Sequence, residues 1–290
     1  MKRAAWLGVL GGAALACGTA WGQTPAPPQP TYDVTKVADG VYKFRYQGHN
    51  SMFIVTPAGV IVTDPISLRR PAAQAYLAEI RKITSAPIKY MIYSHSHLDH
   101  STGGQPFKDA GAIVIAQENA KTRLAAFGPN VVPPDETVRD RRTIVLGGKT
   151  LELIYLGRNH SDNMLVMLLP KEKILYTVDW IPVGAPNTQG FEADTNPLGW
   201  TAGLRKVLAM DWETLIPGHG ETLGTKQDVQ KELDWMTDAQ AAAKPLADSE
   251  RCNPAGIASV AMPARYQGWG QPGAWSYALN RYCTLYNQGY

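Results

Sequence analysis

Ile88-Lys-Tyr-Met-Ile-Tyr93-Ser-His95-Ser-His97-Leu-Asp99-His100-Ser-Thr-Gly103-Gly104 is an apolar, β-type run that breaks into a histidine-rich turn and closes on two glycines. A strand end followed by a glycine-rich turn gathers polar side chains at a sheet edge. His95 and His97 stand two apart, with Asp99 and His100 just after, so four ligand-type side chains fall within six residues. Imidazoles and carboxylates at this density make the borderline-soft cage that zinc prefers. The alternative is an exposed histidine-rich loop with no metal. A buried cluster of three imidazoles, however, is hard to satisfy with hydrogen bonds alone.

Three more ligand-type residues occupy similar places. His160 lies in Gly157-Arg-Asn-His-Ser-Asp-Asn163 between two strand signals, Asp179 ends the apolar run 174–178, and His219 lies in Ile216-Pro-Gly-His-Gly220. Any one alone reads as an ordinary polar residue. Three at strand ends, added to the first cluster, make chance a poor account.

Hydrophobic periodicity places strands at 41–46, 52–56, 60–64, 88–93 and 113–116, with helices at 71–83 and 118–127 and a proline-containing loop at 128–140. A second series follows: strands at 143–146, 151–156, 164–169, 174–178 and 214–216, and helices at 198–210 and 226–244. Strands and helices thus recur in two similar halves, 34–140 and 141–224. That pattern suits two sheets packed face to face with helices outside. Trp275, Leu279, Tyr282 and Tyr286 repeat at helical spacing, so a last helix at 274–286 is expected to dock on the body.

The remaining features bound the function. A composition that is 44% hydrophobic and 18% charged is far too apolar for a disordered chain. The 28 basic and 25 acidic residues nearly cancel, and no Lys/Arg run exceeds two, which argues against nucleic-acid binding. Lys2 and Arg3, the apolar run 4–15 and Ala20-Trp21-Gly22 read as a cleavable signal peptide over 1–22, followed by a proline-rich linker over 23–33. Periplasmic or secreted localisation is therefore expected, with no membrane contact in the mature form. Cleavage removes Lys2 and Arg3 and takes the net charge from +3 to about +1. Cys252 and Cys283 would then share an oxidising compartment and could pair as a disulfide, the reading favoured over two buried free thiols.

The H-x-H-x-D-H motif at His95–His100, with His160, Asp179 and His219 in order, resembles the metallo-β-lactamase superfamily. The resemblance covers about 34–224 and implies an αββα sandwich of two related halves, with residues 225–290 a helical extension on the same domain. It implies two zinc ions per chain at the sheet edge. His95, His97 and His160 would hold one; Asp99, His100 and His219 the other; Asp179 would bridge both. Asp64 resembles the carboxylate that steadies the ligands from behind. His49 and Asn50 lie in a turn that overhangs the metals in this family, and Asn187 lies in the loop after Asp179; all three are candidate substrate contacts. Such a pair of ions lowers the pKa of a shared water towards neutrality, and Asp99 would orient it and shuttle its proton.

The expected activity is hydrolysis of an ester, lactone, amide or lactam in a small-molecule substrate. A true β-lactamase is one alternative. Against it, the zinc β-lactamases usually carry Cys or Ser where Asp179 stands, and the stretch 181–200 holds no Lys or Arg to meet a β-lactam carboxylate. The other alternative is an oxidoreductase with a single iron, as in persulfide dioxygenases, using part of the ligand set. The chain specifies no oligomeric state.

Overall fold

Alternation along single strands shows why two layers form. In strands Val41–Tyr46, His49–Thr56, Gly59–Thr63 and Ile88–Ile92 most residues are buried, yet successive side chains leave in opposite directions. Met52, Ile54, Ile61, Ile92 and Ile115 enter one apolar core, whereas Phe53, Val60, Val62, Met91 and Val114 enter another. A sheet buried on both faces needs a cover on each side.

The computed structural model describes residues 31–186, 195–270 and 272–290. The strands are β1 (Tyr32–Ala38), β2 (Val41–Tyr46), β3 (His49–Thr56), β4 (Gly59–Thr63), β5 (Ile88–Ile92), β6 (Ile113–Gln117) and β7 (Glu136–Val138), then β8 (Arg141–Leu146), β9 (Lys149–Tyr155), β10 (Leu165–Leu169), β11 (Ile174–Val178) and β12 (Thr214–Pro217). The helices are α1 (Ala72–Ile83), α2 (Leu98–Ser101), α3 (Gln105–Asp109), α4 (Ala120–Ala126), α5 (Pro197–Ala209), α6 (Lys226–Asp248), α7 (Pro254–Ala258) and α8 (Ala274–Asn287).

Strands β1 to β7 form one sheet in sequence order, antiparallel from β1 to β4 and parallel from β4 to β7. The second sheet runs β12-β11-β10-β9-β8, with β11 and β12 parallel. The two sheets correspond to the two halves of the sequence. Their facing sides share one core with α5, α6 and α8, while α1, α3 and α4 cover the outer face of the first sheet. The result is the αββα sandwich.

Local chemistry sets the helix ends. Asn196 accepts hydrogen bonds from the Leu198 and Gly199 amides, with Pro197 opening α5. Thr225 and Asp228 form a reciprocal capping box at the start of α6. That helix runs past the expected residue 244 to Asp248, with Pro245 inside its last turn. The buried face of α1 is Ala72, Ala73, Tyr76 and Ile80, while Ile83 is exposed. Strands β1 and β7 were not expected; β7 lies inside the stretch read as a loop. The docked last helix exists as α8, burying Trp275, Leu279 and Tyr282. Cys252 and Cys283 form a disulfide that ties it to the segment before α7.

Among the described residues no helix is long and apolar enough to cross a membrane. The expected signal peptide at 1–22 and linker residues 23–30 lie outside the described residues.

Candidate metal centre

Each ligand-type residue follows a strand: His95, His97, Asp99 and His100 come after β5, His160 after β9, Asp179 after β11 and His219 after β12. The fold brings them into two clusters of four, His95, His97, His160 and Asp179, and Asp99, His100, Asp179 and His219. Asp179 belongs to both. One of its oxygens, Oδ2, lies 3.7 Å from His95 Nε2 and 3.9 Å from His160 Nε2. The other, Oδ1, lies 3.0 Å from His100 Nε2 and 2.9 Å from His219 Nε2. His97 Nδ1 is 3.0 Å from His160 Nε2, and Asp99 Oδ2 is 3.5 Å and 3.7 Å from His100 and His219 Nε2. Ligands about 2.0–2.2 Å from a tetrahedral ion stand roughly 3.3–3.6 Å apart, and the 2.9–3.9 Å separations here bracket that range.

A single atom tests the fit. His95 is buried, its Nδ1 meets Ser94 Oγ at 2.9 Å, and its Nε2 is buried in the first cluster with no hydrogen-bond partner. Buried polar atoms are almost always paired, and a ligating imidazole is held by its other nitrogen. Both conditions describe a metal ligand.

The fields around the cluster are opposed. Burial pushes the His95 pKa well below the ordinary imidazole value, and neighbouring His97 adds to that. Burial would also lower His100, but Asp179, Asp64 and Asp99 outweigh it and raise its pKa well above the usual value. Burial likewise opposes ionisation of Asp179, yet His100 and His219 hold its carboxyl well below the carboxylate range. For Asp99, burial is overcome by the hydrogen bond from His49 and by His100, again lowering the pKa.

Further buried polar residues brace the two clusters. Buried Asp64 accepts from the Ser94 amide at 2.7 Å, lies 3.0 Å from Tyr176 Oη and stands 3.4 Å from His100 Nδ1. Asn163 Oδ1 accepts from the Ser96 amide, between His95 and His97, at 2.8 Å, and its amide donates to Asp162. Asp162 in turn pairs with both terminal nitrogens of Arg123 at 2.5 and 2.8 Å. Asn163, Ser96, Tyr176 and Arg123 were not singled out from sequence. Only the placement of Asp162-Asn163 beside His160 hinted at them, because their partners lie far away along the chain.

The candidate substrate contacts separate. His49 reaches the site, with Nε2 3.3 Å from Asp99 Oδ2 and its ring centroid 4.3 Å from that of His219. Asn50 does not reach it: it is fully buried, and its amide donates to the Pro217 and Gly220 carbonyls, each at 2.9 Å. It braces the His219 turn where a substrate contact was expected. Asn187 lies outside the described residues. Trp180 and Trp200 are both buried, and Trp200 packs edge-on against His160.

A two-sheet sandwich with a shared aspartate between two histidine-rich clusters at its edge defines a candidate binuclear metalloenzyme. The chain belongs to the metallo-beta-lactamase superfamily, whose family model matches residues 45–219. It is 28% identical to 2,4-dinitroanisole O-demethylase subunit alpha of Nocardioides sp., over 64% of this chain and 55% of that protein. It is 24% identical to a linear primary-alkylsulfatase of Pseudomonas sp., covering 64% of this chain and 44% of the relative. The chain thus spans about half the length of these two relatives. Metallo-beta-lactamase IND-1 of Chryseobacterium indologenes matches at 24% over 64% of this chain and 77% of its own. A metallo-beta-lactamase structure from Pontibacter korlensis superposes with a TM-score of 0.63 at 20% identity, over 70% of this chain and 99% of its own, which shows the shared fold.

Proposed function

We propose that this chain is an exported, dinuclear zinc-dependent hydrolase acting on an ester, lactone, amide or lactam bond of a small molecule. The observation that carries the reading is the sharing of Asp179, one carboxylate oxygen turned to each cluster. His95, His97 and His160 would hold one ion and Asp99, His100 and His219 the other. Ions bound there lower the pKa of water to near neutrality and polarise the acyl oxygen. The chain's own residues do the rest. Asp99 accepts the proton of the attacking water on its carboxylate and hands it to the leaving group. Asp64 holds His100, and Asn163 holds the turn between His95 and His97.

Export is supported by the signal-like segment 1–22 and by the disulfide, since thiol pairs persist in oxidising compartments. Hydrolysis of β-lactams is a second reading, favoured by the match to metallo-beta-lactamase IND-1, of which this chain covers 77%.

The test is a panel of chromogenic esters, lactones, amides and lactams, run with and without chelator. Chelator-sensitive turnover of at least one class is expected, and Asp179→Ala should lose one metal and most of that turnover. Full metal occupancy and rate in the variant would end the bridging role.

A further inference from the structure

The turn between Asp64 and α1 carries a cation that the proposed chemistry has not used. Ile66 and Arg69 both adopt left-handed backbone angles, with φ of 46° and 56°. The turn is fastened to the segment that bears Asp99 and His100: the Ile66 amide donates to the His100 carbonyl at 3.3 Å, and the Ser67 amide to the Thr102 carbonyl at 3.0 Å. Arg70 folds back so that its Nε donates to the Ile66 carbonyl at 2.9 Å. One edge of the guanidinium is thereby fixed. Its terminal nitrogens meet no hydrogen-bond or carboxylate partner among the described residues.

The surroundings belong to the candidate metal centre. Half-buried Arg70 lies within electrostatic reach of Asp99, His49 and Tyr46. Asp99 is the acidic group that acts on it, but the Asp99 Oδ2 is already engaged by His49, His100 and His219 at 3.3, 3.5 and 3.7 Å. A partly desolvated guanidinium with two free N–H arms is poorly satisfied alone, and its planar fork matches a carboxylate or sulfate. The stretch 181–200, after Asp179, supplies no Lys or Arg for that purpose.

We propose that Arg70 recognises an oxyanion group, carboxylate or sulfate, on the substrate, and so makes anionic small molecules the preferred class. This rests on the hydrolase reading for the bond cleaved, but not for the binding.

The experiment compares mono(4-nitrophenyl) glutarate with 4-nitrophenyl pentanoate, whose acyl chains have equal length and differ in the terminal carboxylate. The zinc-loaded wild type should favour the anionic ester. In Arg70→Gln the ratio of the two kcat/KM values should fall at least about tenfold, mainly through KM, and Arg70→Lys should recover part of it. An unchanged ratio would overturn the proposal. If neither ester is hydrolysed, the hydrolase reading loses its support while Arg70 is still decided by calorimetric titration of zinc-loaded protein with glutarate and with sulfate. Binding at least about tenfold weaker in Arg70→Gln supports the site, and the anion more affected names the group; equal Kd values for both anions in the two proteins refute it.

Discussion

Gly218 offers the sharpest perturbation of the shared carboxylate. A methyl group placed there would stand 2.4 Å from Asp179 Oδ1, 2.7 Å from the Val178 carbonyl carbon and 2.8 Å from Val178 Cγ1. The backbone cannot easily retreat. The Gly218 amide donates to the Val178 carbonyl at 2.8 Å, and its own carbonyl accepts from the Asn50 amide at 2.7 Å. Relief to an ordinary contact therefore moves Oδ1 by about 1 Å and changes its distances to His100 Nε2 and His219 Nε2, now 3.0 and 2.9 Å. Metal sites tolerate ligand errors of only about 0.2 Å. Gly218→Ala should thus bind about one zinc in place of two, measured by elemental analysis after dialysis. Overpacking should remove about 1–3 kcal/mol, a Tm drop of roughly 2–10 °C for a domain of this size. Gly48→Ala, where no atom lies within 4 Å of the added methyl, is the control and should change neither quantity. Two zinc ions at wild-type affinity in Gly218→Ala would refute the reasoning.

Three further outcomes follow from the same geometry. Asp64→Asn keeps the shape but turns an N–H towards the Ser94 amide or Tyr176 Oη, so metal affinity should fall about 10–100-fold by competition with a chelating dye; unchanged affinity would free His100 from dependence on it. In metal-free protein, His95 has a folded pKa well below its unfolded value near 6.5, so its contribution to stability is present above that value and lost as pH falls. Denaturant titrations should show stability declining below about pH 6.5 by up to about 1.4 kcal/mol per unit from this group, and His95→Gln should flatten that part of the curve. Replacing Cys252 and Cys283 by Ser opens a loop of sequence separation 31, and thermal unfolding should report a loss of about 3–4 kcal/mol.

What the sequence disclosed was what lies close together along it. The His95–His100 turn and the three later ligand-type residues could be read because each closes an apolar strand. The two-layer plan could be read because strands and helices recur in two halves. Strand β1 escaped because Tyr32-Asp-Val-Thr-Lys-Val-Ala38 is a largely exposed edge, where alternation is weak. Strand β7, at three residues, is too short to carry a period. Asn50 was placed at the site by the family's overhanging turn, whereas tertiary contact with the His219 turn buries it. Arg70 and Asn163 gain meaning only from partners supplied by folding: the Asp99 segment for one, Ser96, 67 positions away, for the other.

Two zinc ions held through one shared aspartate underlie all of this chemistry. The most direct test is the metal content of the mature protein, purified without a chelating tag and measured by elemental analysis together with protein concentration. About two zinc ions per chain are expected, falling to one in Asp179→Ala. One iron per chain, with zinc absent, would contradict this and turn the chemistry from hydrolysis to oxidation.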